Sequence, residues 1–386
     1  MMSNIWSSTR DFLVSLVQDP RRAVEDSKLL LQAIIQNPLD YIPLLAATSV
    51  ISGIFAGLSI RSFSIHSFRS IPNKQLRETV IITGATSGIG RELAFLFARD
   101  GYSIIIVARN IKQLEETRRL LLETNKSIEV FCISKDLSIA ESAKEVFNEV
   151  HTNPMYSHLC INNFINNAGV VMRGEFLRMD LDKQSDMIDL NISGLTRLFH
   201  LFGSEFARRI DNGSKQKFRI LNLASFASFT PNPNMACYGA TKSYIHYLSM
   251  AVHEELKARY GSQLSVSALC PGLVDTAAVP KSGTQHSILY KLGQYDTPER
   301  AAKIGYHTMM RGERYAIVGY MNGIVIYLCQ AVLPYWLQAK CARIGTSDWS
   351  SLKLSAFFKD QLRVYQGNEK GAEDMAFAST NEPTKE

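Results

Sequence analysis

A concentrated charge and a metal-binding cysteine pattern are both missing from this 386-residue sequence. Its 42 Lys and Arg residues outnumber 36 Asp and Glu by only six, and no basic block is interleaved with aromatic residues. Nucleic-acid surfaces carry such a block, so we expect no nucleic-acid partner. The six cysteines form no C-x-x-C pair and have no His cluster at zinc spacing, so no metal site is predicted.

The overall composition narrows the class of protein further. Hydrophobic residues make up 46% and charged residues 20%, which excludes a disordered chain and a polytopic membrane protein. Cys132 and Cys270 lie within apolar runs, which favours buried thiols in a reducing compartment. This indicates a cytosolic location for the part of the chain that holds them.

Long uncharged runs are rare, and only two stand out. Tyr41–Ile60 has no charge over 20 residues, which at 1.5 Å per residue matches about 30 Å of bilayer core. It predicts a single membrane anchor, with a buried or interfacial helix as the alternative. Nearly balanced flanking Lys and Arg residues slightly favour a cytosolic catalytic domain, at the endoplasmic reticulum membrane if the source is eukaryotic. A cytoplasmic protein is the alternative.

The second uncharged run, Tyr315–Ala339, has 19 apolar residues among 25. Three interpretations remain open: a second membrane span, a membrane-facing monotopic helix, or a helix that closes an apolar substrate pocket or a dimer interface.

Between these runs, short β-branched segments alternate with helical ones. Fully apolar strands such as Ile104–Val107 are buried on both faces in parallel sheets. The predicted strands are Thr79–Thr83, Ser103–Ala108, Ile128–Ile133, Cys160–Asn166, Phe218–Ala224 and Leu264–Cys270. The predicted helical segments are Ile89–Arg99, Lys112–Leu122, Ser138–Val150, Asp180–Arg209 and Ala236–Tyr260. The fold class is therefore α/β, a Rossmann-type doubly wound parallel sheet.

Four regions follow from this pattern. We expect residues 1–77 to form an N-terminal extension with the candidate transmembrane segment 41–60, and residues 78–300 to form the catalytic domain. We expect residues 301–365 to form a hydrophobic C-terminal helical extension and residues 366–386 a disordered tail, because the tail residues are small, polar and charged.

A glycine-rich turn follows the first predicted strand and opens a helix. In Thr83–Gly90, Gly84 permits a tight turn, Gly88 lets the backbone approach a pyrophosphate, and Gly90 lets the helix pack closely on the sheet. The amide groups at the helix start favour a phosphate. This arrangement predicts a dinucleotide site.

The next strand indicates which dinucleotide binds. An NAD site usually has an acidic residue at the end of this strand, where Arg109 stands instead. A guanidinium attracts a 2′-phosphate that a carboxylate would repel, so NADP(H) is favoured over NAD(H).

Proton-transfer chemistry is indicated by Tyr238 and Lys242, one helical turn apart. An ammonium group near a phenol is expected to lower the phenol pKa towards neutrality. Ser225 closes an apolar strand thirteen residues earlier, at the edge where doubly wound sheets bind ligands. Other polar or glycine-containing segments fall at the same predicted edge: Asn166–Gly169, Asn191 and Pro271–Thr276.

These motifs together resemble those of the short-chain dehydrogenase/reductase family. The resemblance covers about residues 78–280, and Asn166–Pro271 looks most like the membrane-associated branch of 3-ketoacyl and steroid-type reductases. It implies a catalytic set of Asn191, Ser225, Tyr238 and Lys242. Tyr238 would be the general acid or base, Lys242 would hold the nicotinamide ribose, Ser225 would bind the carbonyl oxygen, and Asn191 would bind a relay water.

The resemblance also implies a set of cofactor contacts. These are Gly84, Ser87, Gly88, Ile89, Gly90, Arg109, Asp136, Asn167, Ala168, Gly169, Tyr238, Lys242, Pro271, Gly272, Val274 and Thr276. Asp136 would contact the adenine, and Val274 and Thr276 would contact the nicotinamide carboxamide.

The sequence therefore predicts an NADP(H)-dependent oxidoreductase that interconverts a ketone and a secondary alcohol. The two uncharged runs favour a lipophilic substrate of 3-ketoacyl, steroid, retinoid or sphingoid type and an association with membranes. A homodimer is a further expectation from the resemblance. The alternatives are a reductase of soluble carbonyl compounds and a non-catalytic NADPH-binding scaffold or sensor.

Overall fold

The computed structural model describes residues 77–276, 278–292, 295–319 and 333–347. Within them, seven strands form one sheet: β1 (Arg77–Thr83), β2 (Ser103–Ala108), β3 (Val130–Ser134), β4 (Leu159–Asn166), β5 (Phe218–Leu223), β6 (Leu264–Cys270) and β7 (Tyr315–Ile317). The α-helices are α1 (Gly88–Arg99), α2 (Ile111–Thr124), α3 (Ser142–Thr152), α4 (Leu181–Ile188), α5 (Leu195–Asp211), α6 (Ala236–Tyr260), α7 (Ala278–Ser282), α8 (Ile288–Leu292), α9 (Pro298–Arg311) and α10 (Tyr335–Thr346).

The sheet is parallel throughout, and its spatial order is β3-β2-β1-β4-β5-β6-β7. The order reverses between β1 and β4, so this pair marks the switch point at which doubly wound sheets bind ligands. The register aligns Thr83 with Val107 and Asn166 with Asn222. The predicted parallel α/β sheet is confirmed.

Both faces of the sheet are covered by helices. On one face, Phe97 of α1, Leu114 of α2 and Met309 of α9 pack against strand residues such as Ile106 and Leu269. On the other face, Val146 of α3 and Phe202 and Phe206 of α5 pack against Phe164 and Phe218. The helices on both faces explain why β2 consists of consecutive apolar residues. Apolar side chains on a solvent-exposed face would cost free energy.

The structure differs from the sequence expectation in the long segment Asp180–Arg209. A π-helical turn, Asp189–Gly194, separates α4 from α5. Apolar periodicity does not distinguish a single wide turn within an otherwise helical segment, and such turns often mark functional sites. This turn carries Asn191.

The sheet also extends beyond the predicted boundary at residue 300. Helix α9 crosses that boundary, and its Gly305 lies close to Leu221 and Leu269 of the sheet. Strand β7 pairs with β6. The first residues of the uncharged run Tyr315–Ala339 are therefore a sheet edge strand, and the described end of the run lies in α10. A single helix over the whole run is excluded.

None of the helices in the described residues is both long enough and apolar enough to span a bilayer. The candidate anchor Tyr41–Ile60 and the predicted tail 366–386 lie outside the described residues.

Candidate active site

The glycine-rich turn joins β1 to α1 through close backbone packing. Gly84 has a φ of +67°, which a residue with a side chain rarely adopts. Gly90 lies so close to its surroundings that a Cβ atom there would be 2.3 Å from the Asn167 Nδ2 and 2.5 Å from the Gly84 oxygen. Both positions therefore require glycine.

Asn167 fastens this turn to the end of β4. Its side-chain amide donates to the carbonyl oxygens of Thr83 and Gly84, both at 2.9 Å. The Thr83 hydroxyl in turn accepts from the backbone amides of Asn167 and Ala168, both at 3.0 Å. Asn167 thus shapes the turn from behind.

A cavity of about 930 Å³ opens at the carboxyl ends of β1, β2 and β4. Six of the predicted cofactor residues line it: Gly84, Ser87, Arg109, Asp136, Ala168 and Gly169. Lys112 and Lys135 line it as well. Among the described residues, the lining therefore has three cationic side chains, with Arg109 as the third, and one carboxylate, that of Asp136.

Arg109 and Asp136 form an ion pair at one side of this cavity, with 3.5 Å between Nη1 and Oδ2. Burial alone would raise the pKa of Asp136, but hydrogen bonds from Ser138 and the charge of Arg109 outweigh it and lower the pKa. Arg109 is about two-thirds exposed, so its guanidinium remains accessible to a bound anion.

The residues present fit a dinucleotide. The glycines leave room for a pyrophosphate at the start of α1, where backbone amide groups and the helix dipole favour negative charge. The cavity has the size of a small-molecule site, and its cations suit a phosphorylated ligand. Gly88 faces Thr276, since a Cβ at Gly88 would be 3.2 Å from the Thr276 Cγ2.

Tyr238, Lys242 and Ser225 come together beyond the Gly169 end of the cavity. The Lys242 Nζ lies 5.9 Å from the centroid of the Tyr238 ring and 3.4 Å from the position of a Cβ built on Gly169. It donates to the Leu223 carbonyl oxygen at 2.8 Å. Burial lowers the pKa of Lys242 to about 8.

The expected lowering of the Tyr238 pKa by Lys242 is not seen in this arrangement. Burial raises the pKa of Tyr238, and a hydrogen bond with the Ser225 side chain opposes that rise. The Lys242 ammonium group is directed to the carbonyl of Leu223. The phenol therefore keeps its proton near neutral pH and can serve as a proton donor.

Ser225 is fixed by a short helical turn that follows β5. Its Oγ accepts from the Ala227 amide at 3.1 Å, and its own amide donates to the Ser228 Oγ at 3.3 Å. The Ser228 hydroxyl donates to the Lys242 carbonyl oxygen at 2.8 Å. Ser228 therefore joins the end of β5 to the helix that carries Tyr238 and Lys242.

Asn191 connects the π-helical turn to two other parts of the site. Its Oδ1 accepts from the Val170 amide and its Nδ2 donates to the Val170 oxygen, both at 3.0 Å. The same Nδ2 donates to the Thr241 Oγ1 at 3.1 Å, and that hydroxyl donates to the Tyr238 carbonyl oxygen. Asn191 is fully buried, so it positions the segment that follows β4 against α6.

The segment after β6 completes the edge. The Pro271 carbonyl oxygen accepts from the Phe226 amide at 2.7 Å, next to Ser225. Val274 is buried and forms an isolated bridge with Asp296. The remaining predicted contacts lie outside the cavity lining: Gly88, Ile89, Gly90, Asn167, Tyr238, Lys242, Pro271, Gly272, Val274 and Thr276.

Several residues that organise the site were not among the predicted site residues. Thr83, Thr241 and Ser228 carry the hydrogen bonds that link the strand ends, the π-helical turn and α6. Thr83 and Thr241 stand inside the motifs that the sequence displays, beside the glycine turn and Lys242. Ser228 has no comparable signal.

This sheet and this edge fit an α/β enzyme of the dinucleotide-binding class, and comparison with known proteins identifies its family. The sequence model of the short chain dehydrogenase family matches residues 78–287. The chain belongs to the short-chain dehydrogenase/reductase family of oxidoreductases, and the resemblance predicted from the motifs is confirmed.

Individual relatives are similar over the same region. An uncharacterized oxidoreductase of Staphylococcus epidermidis is 30% identical over 203 residues, 53% of this chain and 80% of the relative. A 3-oxoacyl-[acyl-carrier-protein] reductase of the same species is 26% identical over 52% of this chain and 76% of its own length. An 11-beta-hydroxysteroid dehydrogenase A of Sesamum indicum is 26% identical over 52% of this chain and 53% of its own length.

A solved structure agrees with these relatives. A short-chain dehydrogenase from Sphingobium yanoikuyae, in complex with NADPH, superposes with a TM-score of 0.55 at 26% identity. The match covers 66% of this chain and 96% of that chain. A nicotinamide cofactor is therefore consistent with the family and the fold.

Proposed function

We propose that this chain is an NADP(H)-dependent reductase that converts a lipophilic ketone to a secondary alcohol, or catalyses the reverse reaction, with Tyr238 as the proton donor. The observation that carries the proposal is the meeting of the Tyr238 phenol, the Ser225 hydroxyl and the Lys242 ammonium group beside Gly169, which lines the cavity. Bound NADPH would supply the hydride.

During reduction, the carbonyl oxygen gains negative charge and then takes up a proton. The Tyr238 phenol can supply the proton, and the Ser225 hydroxyl can donate a hydrogen bond to the charge. The raised pKa of Tyr238 keeps the phenol protonated, so it can donate a proton to that oxygen. The Ser225 side chain is near enough to the phenol to oppose the rise of its pKa, so both groups can address one carbonyl oxygen. Hydrogen-bond donors aimed at a developing oxyanion often make the largest contribution to catalysis.

Lys242 and Asn191 hold these groups in place. Lys242 is held by the Leu223 carbonyl oxygen, beside Gly169, where it would contact the ribose hydroxyl groups of the cofactor. Asn191 positions the Val170 segment against Thr241. The water relay implied by the family resemblance would pass near Asn191 and remains part of the proposal.

The preference for NADP(H) over NAD(H) rests on Arg109. Its accessible guanidinium lies at the end of β2, and the lining of the cavity adds Lys112 and Lys135. A 2′-phosphate placed there would gain charge-assisted hydrogen bonds, whereas an acidic residue at position 109 would repel it.

The lipophilic substrate and the membrane association are proposed from the uncharged runs Tyr41–Ile60 and Tyr315–Ala339. In the described end of the second run, Tyr335 and Trp336 of α10 are 72% and 61% exposed, with Lys340 next to the Trp336 ring. Exposed tyrosine and tryptophan beside a cation are typical of membrane interfaces. The names of the similar reductases also point to 3-oxoacyl and steroid substrates.

The test is NADPH oxidation by purified protein against 3-ketoacyl, sterol, retinoid and ketosphinganine substrates, with a small water-soluble ketone as the reference. We expect turnover of at least one lipophilic ketone at a kcat/KM above that of the reference, and slower turnover with NADH. Turnover of the soluble ketone alone, with all protein in the soluble fraction without detergent, would favour a soluble-substrate reductase. NADPH binding without any turnover would favour a scaffold or sensor.

A further inference from the structure

We propose that Arg173 is a specificity-determining positioning residue, which holds α10 across the substrate side of the site. This proposal rests on the proposed reductase function. Arg173 lies three residues after Val170, in the segment that Asn191 fixes. Its Nε and Nη2 donate to the Thr346 carbonyl oxygen at 3.0 and 2.8 Å, and its Nη1 is 3.4 Å from the Gly283 oxygen.

The end of α10 and the residue that follows it contact three segments. Each of these segments is continuous in sequence with a strand end or a residue of the active site. Arg173 belongs to the segment after β4. Pro233, whose oxygen accepts from the Thr346 hydroxyl at 2.6 Å, belongs to the loop between Ser225 and Tyr238. Ile288, whose amide donates to the Ser347 oxygen at 3.0 Å, belongs to the segment after Thr276.

The loop before α6 shows that these segments are also held to each other. The Gly174 amide donates to the Asn234 oxygen at 2.7 Å, and Asn234 adopts a φ of +63°. Asparagine tolerates this left-handed conformation, which allows the loop to turn at this point. Arg173 therefore acts on a segment whose position is already constrained next to Tyr238.

The segments that the end of α10 contacts adjoin the side of the site left for the substrate. The cavity lined by Arg109 and Gly84 takes the nucleotide, and Ser225 and Tyr238 lie beyond its Gly169 end. A ketone on Tyr238 must extend between the Pro233 loop and the segment after β6, and α10 joins these two. The position of α10 then limits how large a group the carbonyl carbon can carry.

The charge of Arg173 suits this task. A guanidinium group at the C-terminal carbonyl groups of a helix is favourable, because those groups lack partners within the helix and carry the negative end of the dipole. Two of its nitrogens share one acceptor, which fixes the end of α10 in direction as well as distance.

The test compares Arg173→Ala with Arg178→Ala, a control in the same loop whose guanidinium pairs with Glu175 at an exposed position. Loss of charged hydrogen bonds should raise KM for a bulky ketone about tenfold. The kcat with a small ketone and the Kd of NADPH should stay within about twofold of the values for the parent protein. A change of that size is smaller than the loss of one hydrogen bond would cause. In Arg173→Lys, the KM for the bulky ketone should return part of the way to the parent value. Arg178→Ala should have the same KM as the parent protein.

Backbone hydrogen exchange separates this proposal from the reductase proposal. In Arg173→Ala, amides in residues 283–288 and 335–347 should exchange faster, while those of β1 and β4 should not change. Thr346→Val, which removes the bond to Pro233 and keeps the backbone acceptor, should give a smaller effect in the same segments. Unchanged exchange in both variants would overturn the proposal, as would equal KM changes for small and bulky ketones or faster exchange with no KM change.

If the parent protein turns over no ketone, the reductase proposal fails. Hydrogen exchange then still decides whether Arg173 holds α10, and the assignment of Arg173 to substrate specificity is withdrawn.

Discussion

The two halves of the sheet hold their parts of the site in different ways. On the side of β1 to β3, a backbone turn and solvent-facing charges form the cavity, and Arg109 is about two-thirds exposed. On the side of β4 to β6, Asn191, Ser225 and Lys242 are buried and Tyr238 is half-buried. Asn191 is 0% exposed and Lys242 only 6%.

This difference teaches where each half is sensitive. The nucleotide half should tolerate changes of surface charge with a loss of affinity alone, but it should not tolerate added volume at the glycines. The catalytic half should be sensitive to the loss of any buried hydrogen-bonding group, because a buried partner left behind has no water to replace it. Four substitutions or titrations test this contrast.

Gly90→Ala should have the largest effect, since its Cβ would meet both Asn167 and the Gly84 carbonyl oxygen. Overpacking of this kind costs about 1–3 kcal/mol of folding stability, and the shifted turn should also abolish measurable NADPH binding. Thermal unfolding and NADPH fluorescence titration check both. The control is Gly203→Ala in α5, where a Cβ would be 3.7 Å from Ile220, an ordinary contact. Equal behaviour of the two variants would contradict the assigned packing.

Asn191→Ala should lower kcat about a hundredfold, because misplacing a positioning contact by about 1 Å can cost that much. The substitution leaves the Val170 amide and carbonyl without their side-chain partner. Steady-state kinetics with a saturating ketone measure the effect. The control is Ser193→Ala in the same π-helical turn. Among the described residues it removes only the 3.4 Å hydrogen bond from the Ser193 hydroxyl to the Asp189 carboxylate, so kcat should not change. A full rate in Asn191→Ala would remove Asn191 from the proposed mechanism.

Arg109→Ala should weaken NADPH binding about 10- to 100-fold, the loss expected for charge-assisted hydrogen bonds. NADH binding should change far less, because NADH has no 2′-phosphate. The two dissociation constants measured side by side give the preference directly. The control is Arg119→Ala, which removes an exposed cation on α2 that pairs with Glu116 and Glu123. A parallel loss of NADH and NADPH affinity would argue against 2′-phosphate recognition.

The smallest expected effect is a pH dependence. Lys242 has a pKa of about 8 in the folded protein, so kcat/KM for ketone reduction should fall to half near pH 8 as the ammonium group loses its proton. Tyr238 stays protonated through this range, because burial raises its pKa. A profile from pH 6 to 10 tests this assignment, and Lys242→Arg should move the decline to higher pH. A decline at the same pH in that variant would point to another group.

The same titration has a consequence for stability. Between pH 8 and the ordinary lysine pKa of about 10.4, the unfolded chain binds a proton that the folded protein has released. The Lys242 contribution to folding stability should therefore increase as pH rises through this window.

Much of the sheet could be predicted from sequence because its strands are short, apolar and buried on both faces. Ser103–Ala108, Leu264–Cys270 and the helix Ala236–Tyr260 have the predicted bounds. The meeting of motifs at one edge also follows from a parallel sheet, in which all carboxyl strand ends share that edge. These features depend on local pattern and on topology alone.

Other features depend on contacts distant in sequence. Strand β7 consists of three residues within an uncharged run, and only pairing with β6 makes it a strand. The pKa of Tyr238 depends on burial and on the nearby Ser225 side chain, which helical spacing does not determine. Arg173 is a single arginine in a loop with no motif around it, and its partner Thr346 lies 173 residues further along the chain.

The most direct test of the central claim is Tyr238→Phe, measured for NADPH binding and for ketone turnover in the same preparation. The phenol hydroxyl is the only group removed. The proposal predicts an NADPH Kd close to that of the parent protein and a fall in turnover of about a thousandfold, as expected for the loss of a general acid. Turnover equal to that of the parent protein, with NADPH still bound, would contradict the assignment of Tyr238 as the proton donor.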